Sequence, residues 1–139
     1  MAVSDDAEEL LGPILRDVSR AFYLTLRVLP AAVRSQITLA YLLARTTDTI
    51  VDTQLVPAEK RMQKLRQFRA RIRDEGAPPV DFTHLMREQG NEAERVLLQH
   101  SGEAIALLDK MEGADRGQIQ LVLETITRGQ EMDLARFGD

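Results

Sequence analysis

The chain has no cysteine, which excludes disulfide bonds, thiolate catalysis and Cys-based zinc sites and fits a reducing compartment. Tryptophan is also absent, and four Phe and two Tyr make up the whole aromatic complement. Alternating Val/Ile/Thr runs are scarce as well, so strand signals are nearly missing. Positive charge is not in excess: 18 Lys and Arg stand against 22 Asp and Glu, a formal net charge of -4. The two signs are interspersed, leaving no field that would gather a nucleic acid.

Long apolar runs are missing too. The longest, within residues 29–44, is interrupted by Arg34, Ser35 and Gln36 and is too short to span a bilayer. The opening MAVSDDAEELLGP is acidic where a secretion signal needs basic residues followed by an apolar stretch. His84 and His100 have no His or carboxylate partner at metal-ligand spacing, Ser4, Ser35 and Ser101 have no triad context, and the glycines form no phosphate loop. Hydrolase and nucleotide-binding readings are thereby set aside. The expected location is cytoplasmic, with peripheral contact to a membrane left open.

What is present is the composition of one ordinary domain: 139 residues, 44% hydrophobic and 29% charged, read as a single all-α unit over residues 1–139. Stretches rich in Ala, Leu, Arg, Glu and Gln favour helix. A first helix is expected from about Ser4, with Asp5, Asp6, Glu8 and Glu9 at its positive end and Gly12 and Pro13 as break points. Residues 18–29 put Phe22, Leu26 and Leu29 on one face. Pro30 then precedes a long helix over residues 31–52, ended by a loop at 53–57. A scaffold helix over 58–75 carries Met62, Leu65, Phe68 and Ile72, and stops at Gly76. Asp81 or Thr83 caps a further helix with apolar positions from Leu85 to Leu108, broken near Gly90 or Gly102. After a turn at 113–115, a last helix runs to Phe137. The basic run Lys60, Arg61, Lys64, Arg66, Arg69, Arg71 and Arg73 reads as a solvated face, with contact to an anionic membrane surface as the weaker alternative.

The long helix is the informative one. Tyr41, Arg45, Asp48 and Asp52 are spaced four, three and four residues apart, which places them within roughly a 60° arc. Leu39, Leu42, Leu43, Ile50 and Val51 take up much of the remaining circumference, so the polar groups form a single stripe. Two carboxylates at i and i+4 with no Lys beside them repel one another. A hard divalent cation such as Mg2+ is the usual compensation, and Arg45 could bind the phosphate that such a cation bridges. The spacing alone fits equally well an ordinary Arg45–Asp48 ion pair on a solvated face.

Residues 18–52, VSRAFYLTLRVLPAAVRSQITLAYLLARTTDTIVD, resemble the opening block of the squalene and phytoene synthases. There a Ser-Arg-x-Phe segment precedes a Leu-Pro turn and a helix ending in Tyr-x-x-x-Arg-x-x-Asp-x-x-x-Asp. ITRGQEMDLARF, residues 126–137, is similar to that family's next pocket-lining helix.

The resemblance implies the N-terminal portion of the helical isoprenoid synthase fold and the head-to-head condensation of two isoprenyl diphosphates, farnesyl or geranylgeranyl, through a cyclopropylcarbinyl diphosphate. It implies that Asp48 and Asp52 hold Mg2+, that Arg45 and Tyr41 contact the diphosphate, and that Ser19 and Arg20 anchor the diphosphate of a substrate. Phe22 would line the tunnel for the isoprenoid tail, with Gly129, Met132 and Asp133 on the later helix also lining the pocket. NADPH use is left open. Without the resemblance, Ser19 reads as a helix N-cap and Phe22 as a core residue, while Gly129 is explained equally by a close ligand or by helix packing.

The family's second aspartate motif does not occur before Asp139, so the chain is expected to be a truncated part of a longer enzyme. Alone it should be inactive or nearly so, with one apolar tunnel wall exposed. Two rival readings are a non-catalytic helical interaction module and another Mg2+-dependent isoprenoid enzyme, such as a terpene cyclase.

Overall fold

The computed structural model describes residues 12–137 and, among them, only helices, turns and irregular links. Residues 12–18 form α1, followed by α2 (Arg20–Leu26), α3 (Ala31–Asp52) and α4 (Ala58–Arg73). Then come α5 (Thr83–Glu88), α6 (Glu92–Gln99), α7 (Ser101–Asp109) and α8 (Gly113–Phe137). The expected helix start at Ser4 lies outside the described residues. Gly12 and Pro13 sit within α1, in its first described turn, where a Pro nitrogen needs no intrahelical partner.

The axis of the fold is α3, packed against α2, α4, α6, α7 and α8. Its bounds match the expectation: Pro30, in extended backbone, is the N-cap, Thr53 is the non-helical C-cap, and Pro57 opens α4 after the short loop. Leu39, Leu42, Leu43 and Ile50 are completely or almost completely buried, with Leu39, Leu43 and Ile50 on the side of α3 opposite the polar stripe and Leu42 on its flank. Each contributes roughly 1.5–3 kcal/mol by leaving water. Facing them, α4 contributes Leu65, Phe68 and Ile72, with Phe68 tilted against Phe82, ring centroids 5.6 Å apart.

Between these apolar positions α3 buries Thr38, Thr46, Thr47 and Thr49. A buried hydroxyl needs a partner, and the helix supplies its own: Thr46 donates to the Leu42 carbonyl at 2.8 Å and Thr47 to that of Ala44 at 2.6 Å. Thr53, at the C-cap, donates to Thr49 O at 2.7 Å. Back-bonding of this kind lets a threonine-rich helix stay buried.

The apolar stretch 85–108 breaks at 89–91, at the expected Gly90, and again at His100, with Gly102 inside α7, so it forms three helices. Asn91 makes the first break by capping α6, its side chain accepting from Glu94 N. The basic run on α4 is not a free solvated face. Arg61 is buried and donates to Val56 O (2.8 Å) and Val51 O (2.6 Å), satisfying one carbonyl in the last turn of α3 and one in the loop after it. Arg66 and Arg69 both pair with Glu131, Arg71 with Asp109 and Arg73 with Glu124. These ion pairs tie α4 to α7 and α8, and the Arg66 guanidinium, helped by Arg69, holds the Glu131 carboxyl below its ordinary range. Among the described residues no helix is long and apolar enough to cross a membrane.

Candidate functional site

The polar stripe of α3 is bounded on three sides. At its N-terminal end α2 crosses it: the Phe22 ring stacks on Tyr41 with centroids 4.0 Å apart and planes 12° from parallel. On one flank α6 brings Glu94, whose Oε1 lies 3.1 Å from Arg45 Nη2 and accepts from the Thr49 hydroxyl at 3.0 Å. On the other flank α8 brings Gln130, which donates from Nε2 to Asp48 Oδ1 at 2.7 Å. Asp52, one turn beyond, is exposed.

Asp48 is half-buried, and its carboxyl is pushed above the ordinary aspartate value. Burial is the largest cause and the Asp52 charge the next, with Glu94 adding to them. Arg45 and the Gln130 hydrogen bond work in the opposite direction. A carboxyl whose charge is disfavoured by its surroundings and by a like charge one turn away is one that gains from a cation. Arg45 Nε, Glu94 Oε2 and Gln130 Oε1 are buried side-chain atoms with no hydrogen-bond partner. That three such atoms collect around one aspartate marks a polar centre with unused bonding capacity, where native structures normally leave few.

The alternative Arg45–Asp48 ion pair is not formed; the partner of Arg45 is Glu94. Ser19 caps α2, its side chain accepting from Phe22 N at 3.2 Å. Arg20 is exposed and makes no hydrogen bond or ion pair to the stripe among the described residues. Gly129 is exposed and a Cβ there would meet nothing within 4 Å, so no neighbouring helix among the described residues accounts for it. Met132, 67% exposed, and Asp133 lie on the same outer side of α8, alongside the exposed Leu121 and Val122. The structure thus brings together Phe22, Tyr41, Arg45 and Asp48, and sets Gly129, Met132 and Asp133 on a separate, open face.

Glu94 and Gln130 were not singled out from sequence. A signal for Glu94 was present, because Asn-x-x-Glu at 91–94 is a helix-start pattern that puts Glu94 in the first turn of α6. Its contact with Arg45 spans 49 positions and has no local signature. Gln130 adjoins the noted Gly129, and the side chain facing α3 belongs to the residue next to the glycine.

The described bundle is all-α, and its central helix carries a carboxylate pair beside a guanidinium and a stacked aromatic pair. The squalene/phytoene synthase family model matches residues 15–138, and the chain belongs to that family, whose fold is the helical isoprenoid synthase bundle. A curated relative, lycopaoctaene synthase of Botryococcus braunii, is 30% identical over 74 residues, covering 53% of this chain. The chain spans 17% of the length of that relative. No solved structure matches.

Proposed function

We propose that the chain supplies the first aspartate motif of a prenyltransferase that joins two isoprenyl diphosphates, farnesyl or geranylgeranyl, head to head to a squalene- or phytoene-type product. The observation that carries this reading is the Asp48 carboxyl, raised by burial and by Asp52 and held by Gln130 at the foot of the Tyr41–Arg45–Asp48–Asp52 stripe.

The donor set fits Mg2+. Both ligands are carboxylate oxygens, the class a hard cation takes, and their mutual repulsion is relieved by the charge it brings. Bound there, Mg2+ would neutralise the diphosphate leaving group. The chain's own residues do the rest. Asp48 and Asp52 fix the position of that charge on a rigid helix. Arg45 offers phosphate oxygens the donors not engaged by Glu94, and the Ser19 hydroxyl and Arg20 offer donors at the start of α2. The stacked Phe22 and Tyr41 rings give the allylic chain an apolar surface and exclude water from it. Gly129, Met132 and Asp133, with Leu121 and Val122, would line a second wall for a prenyl tail.

Among the described residues no group of three or more His, Cys, Asp or Glu could hold a metal. Turnover therefore needs carboxylates beyond Asp48 and Asp52, and this chain alone is expected to bind without catalysing. NADPH has no assigned residues here. The occupied Arg45–Glu94 pair favours, as second reading, a non-catalytic helical module.

Photolabelling with a benzophenone-bearing farnesyl diphosphate analogue separates the two. Mg2+-dependent crosslinks confined to α2, α3 and the outer face of α8 are expected. Labelling that ignores Mg2+, or falls on α4 and α7, would leave the module reading.

A further inference from the structure

We propose that Glu94 is a positioning residue: it holds the Arg45 guanidinium away from Asp48 and so keeps the Asp48 carboxylate open to a divalent cation. The inference rests on the reading of Asp48 and Asp52 as a cation site and adds a role that reading does not contain.

On an isolated helix, Arg45 and Asp48 at i and i+3 would pair with each other. Here Arg45 Nη2 sits 3.1 Å from Glu94 Oε1, and Arg45 makes no ion pair with Asp48. Glu94 is itself well fixed. Its backbone N–H is bonded to Asn91 Oδ1 at 3.0 Å, and its Oε1 also accepts from Thr49 at 3.0 Å. In a reciprocal cap, the Glu side chain would turn back to the Asn91 N–H. That N–H is taken instead by Gln89 Oε1 at 3.0 Å, which leaves the Glu94 carboxylate for α3. Its place in the first turn of the eight-residue α6 also sets its charge against the positive end of the helix dipole.

The pair is not explained by stability. Arg45 Nε and Glu94 Oε2 are both buried without partners, and a buried ion pair with unmet bonding capacity returns little against its desolvation cost. What it does fix is direction. With Glu94 on one flank drawing the guanidinium toward α6 and Gln130 on the other holding Asp48 Oδ1, the two opposite charges on neighbouring turns of α3 form no ion pair. Remove the Glu94 charge and the nearest carboxylate left to Arg45 along its own stripe is Asp48. The guanidinium would then cover the oxygen that the cation needs.

Mn2+ is the probe, titrated into the whole chain without diphosphate and followed by electron paramagnetic resonance. Glu94→Gln should weaken Mn2+ binding by about thirtyfold, the effect of one unit charge on a divalent cation about 4 Å away in water. Arg45→Gln should restore it in the Glu94→Gln background, and should change it much less in the parent, where Arg45 is already held off. Equal effects of Arg45→Gln in both backgrounds would overturn the proposal, since that is plain charge addition. A second readout needs no metal: nuclear Overhauser contacts between Arg45 Hδ and Asp48 Hβ should appear in Glu94→Gln and be missing in the parent. If the parent fails to bind Mn2+, the cation reading falls, and these contacts alone decide where Glu94 places Arg45. If Glu94→Gln does not fold, Glu94→Asp, one methylene shorter, gives the same readouts at smaller amplitude. Unchanged contacts in a folded variant would sink the inference.

Discussion

Gln130 reaches across 82 positions to donate to Asp48 Oδ1 at 2.7 Å, so the aspartate at the centre of the α3 stripe is held by the helix whose neighbouring residues face outward. Gln130→Glu would replace that donor with a third carboxylate beside Asp48 and Asp52. The melting temperature at pH 7 should fall relative to the parent. The difference should shrink when Mg2+ is added and again when the pH is lowered, as the crowded carboxyls take up protons. A thermal-shift series over pH and Mg2+ checks it.

The raised pKa of Asp48 has a definite sign in stability. A carboxyl whose folded value lies above its unfolded value contributes stability that is fully present below the unfolded pKa and lost as pH rises through the folded one. Asp48→Asn removes the ionisable group at nearly constant size. In metal-free buffer, this variant should be more stable than the parent at neutral pH, and the advantage should vanish in acid below the ordinary aspartate range. Chemical denaturation at a series of pH values reads this directly; a variant less stable than the parent at pH 7 would contradict the assigned shift.

The stack of Phe22 on Tyr41 is what joins α2 to the stripe. Aromatic pairs contribute about 0.5–1.5 kcal/mol beyond the area they bury. A double-mutant cycle with Phe22→Leu and Tyr41→Leu should return a coupling in that range, measured by urea unfolding. Additive effects would mean that the rings are neighbours without being partners.

Arg61 anchors the end of α3 and the loop after it from α4 through the carbonyls of Val51 and Val56. Arg61→Met keeps most of the side-chain volume and removes these donors. A loss of about 2–3 kcal/mol is expected, since hydrogen bonds from a charged group count for roughly 1.5–3 kcal/mol and buried carbonyls are left unmet. A change within about 0.5 kcal/mol, the size usual for a surface substitution, would restore the solvated-face reading of the α4 basic run.

How far the sequence carried depended on whether the governing contact was local. The limits of α3 were legible because Pro30 and Pro57 bracket an unbroken helical period, and its polar stripe was legible because Tyr41, Arg45, Asp48 and Asp52 share one face by spacing alone. The partners of that stripe were not. Glu94 and Gln130 lie 45 and 82 positions from Thr49 and Asp48, the α3 residues they contact, and only packing brings them there. The basic run on α4 misled for the same reason: a helix with seven cationic positions looks solvated until Asp109, Glu124 and Glu131 arrive from other helices. Gly129 stood out by its residue type, yet the side chain that meets α3 is the next one along.

The central claim is that Asp48 and Asp52 bind a divalent cation together with an isoprenyl diphosphate. Mg2+ prefers six oxygen ligands and sheds water reluctantly, so two carboxylates should hold it weakly, while a diphosphate supplies further oxygens and reaches Arg45. Metal and ligand should therefore bind with positive coupling, each tightening the other by the same factor. The measurement is an isothermal titration of the chain with a non-hydrolysable farnesyl diphosphate analogue, with and without Mg2+, for the parent and for Asp48→Asn combined with Asp52→Asn. The parent should bind the analogue at least about tenfold more tightly with Mg2+, a coupling of about 1.4 kcal/mol, and the double variant should lose that difference while keeping its helical circular dichroism. Equal Mg2+ dependence in the two proteins would contradict the account and leave only the helical scaffold.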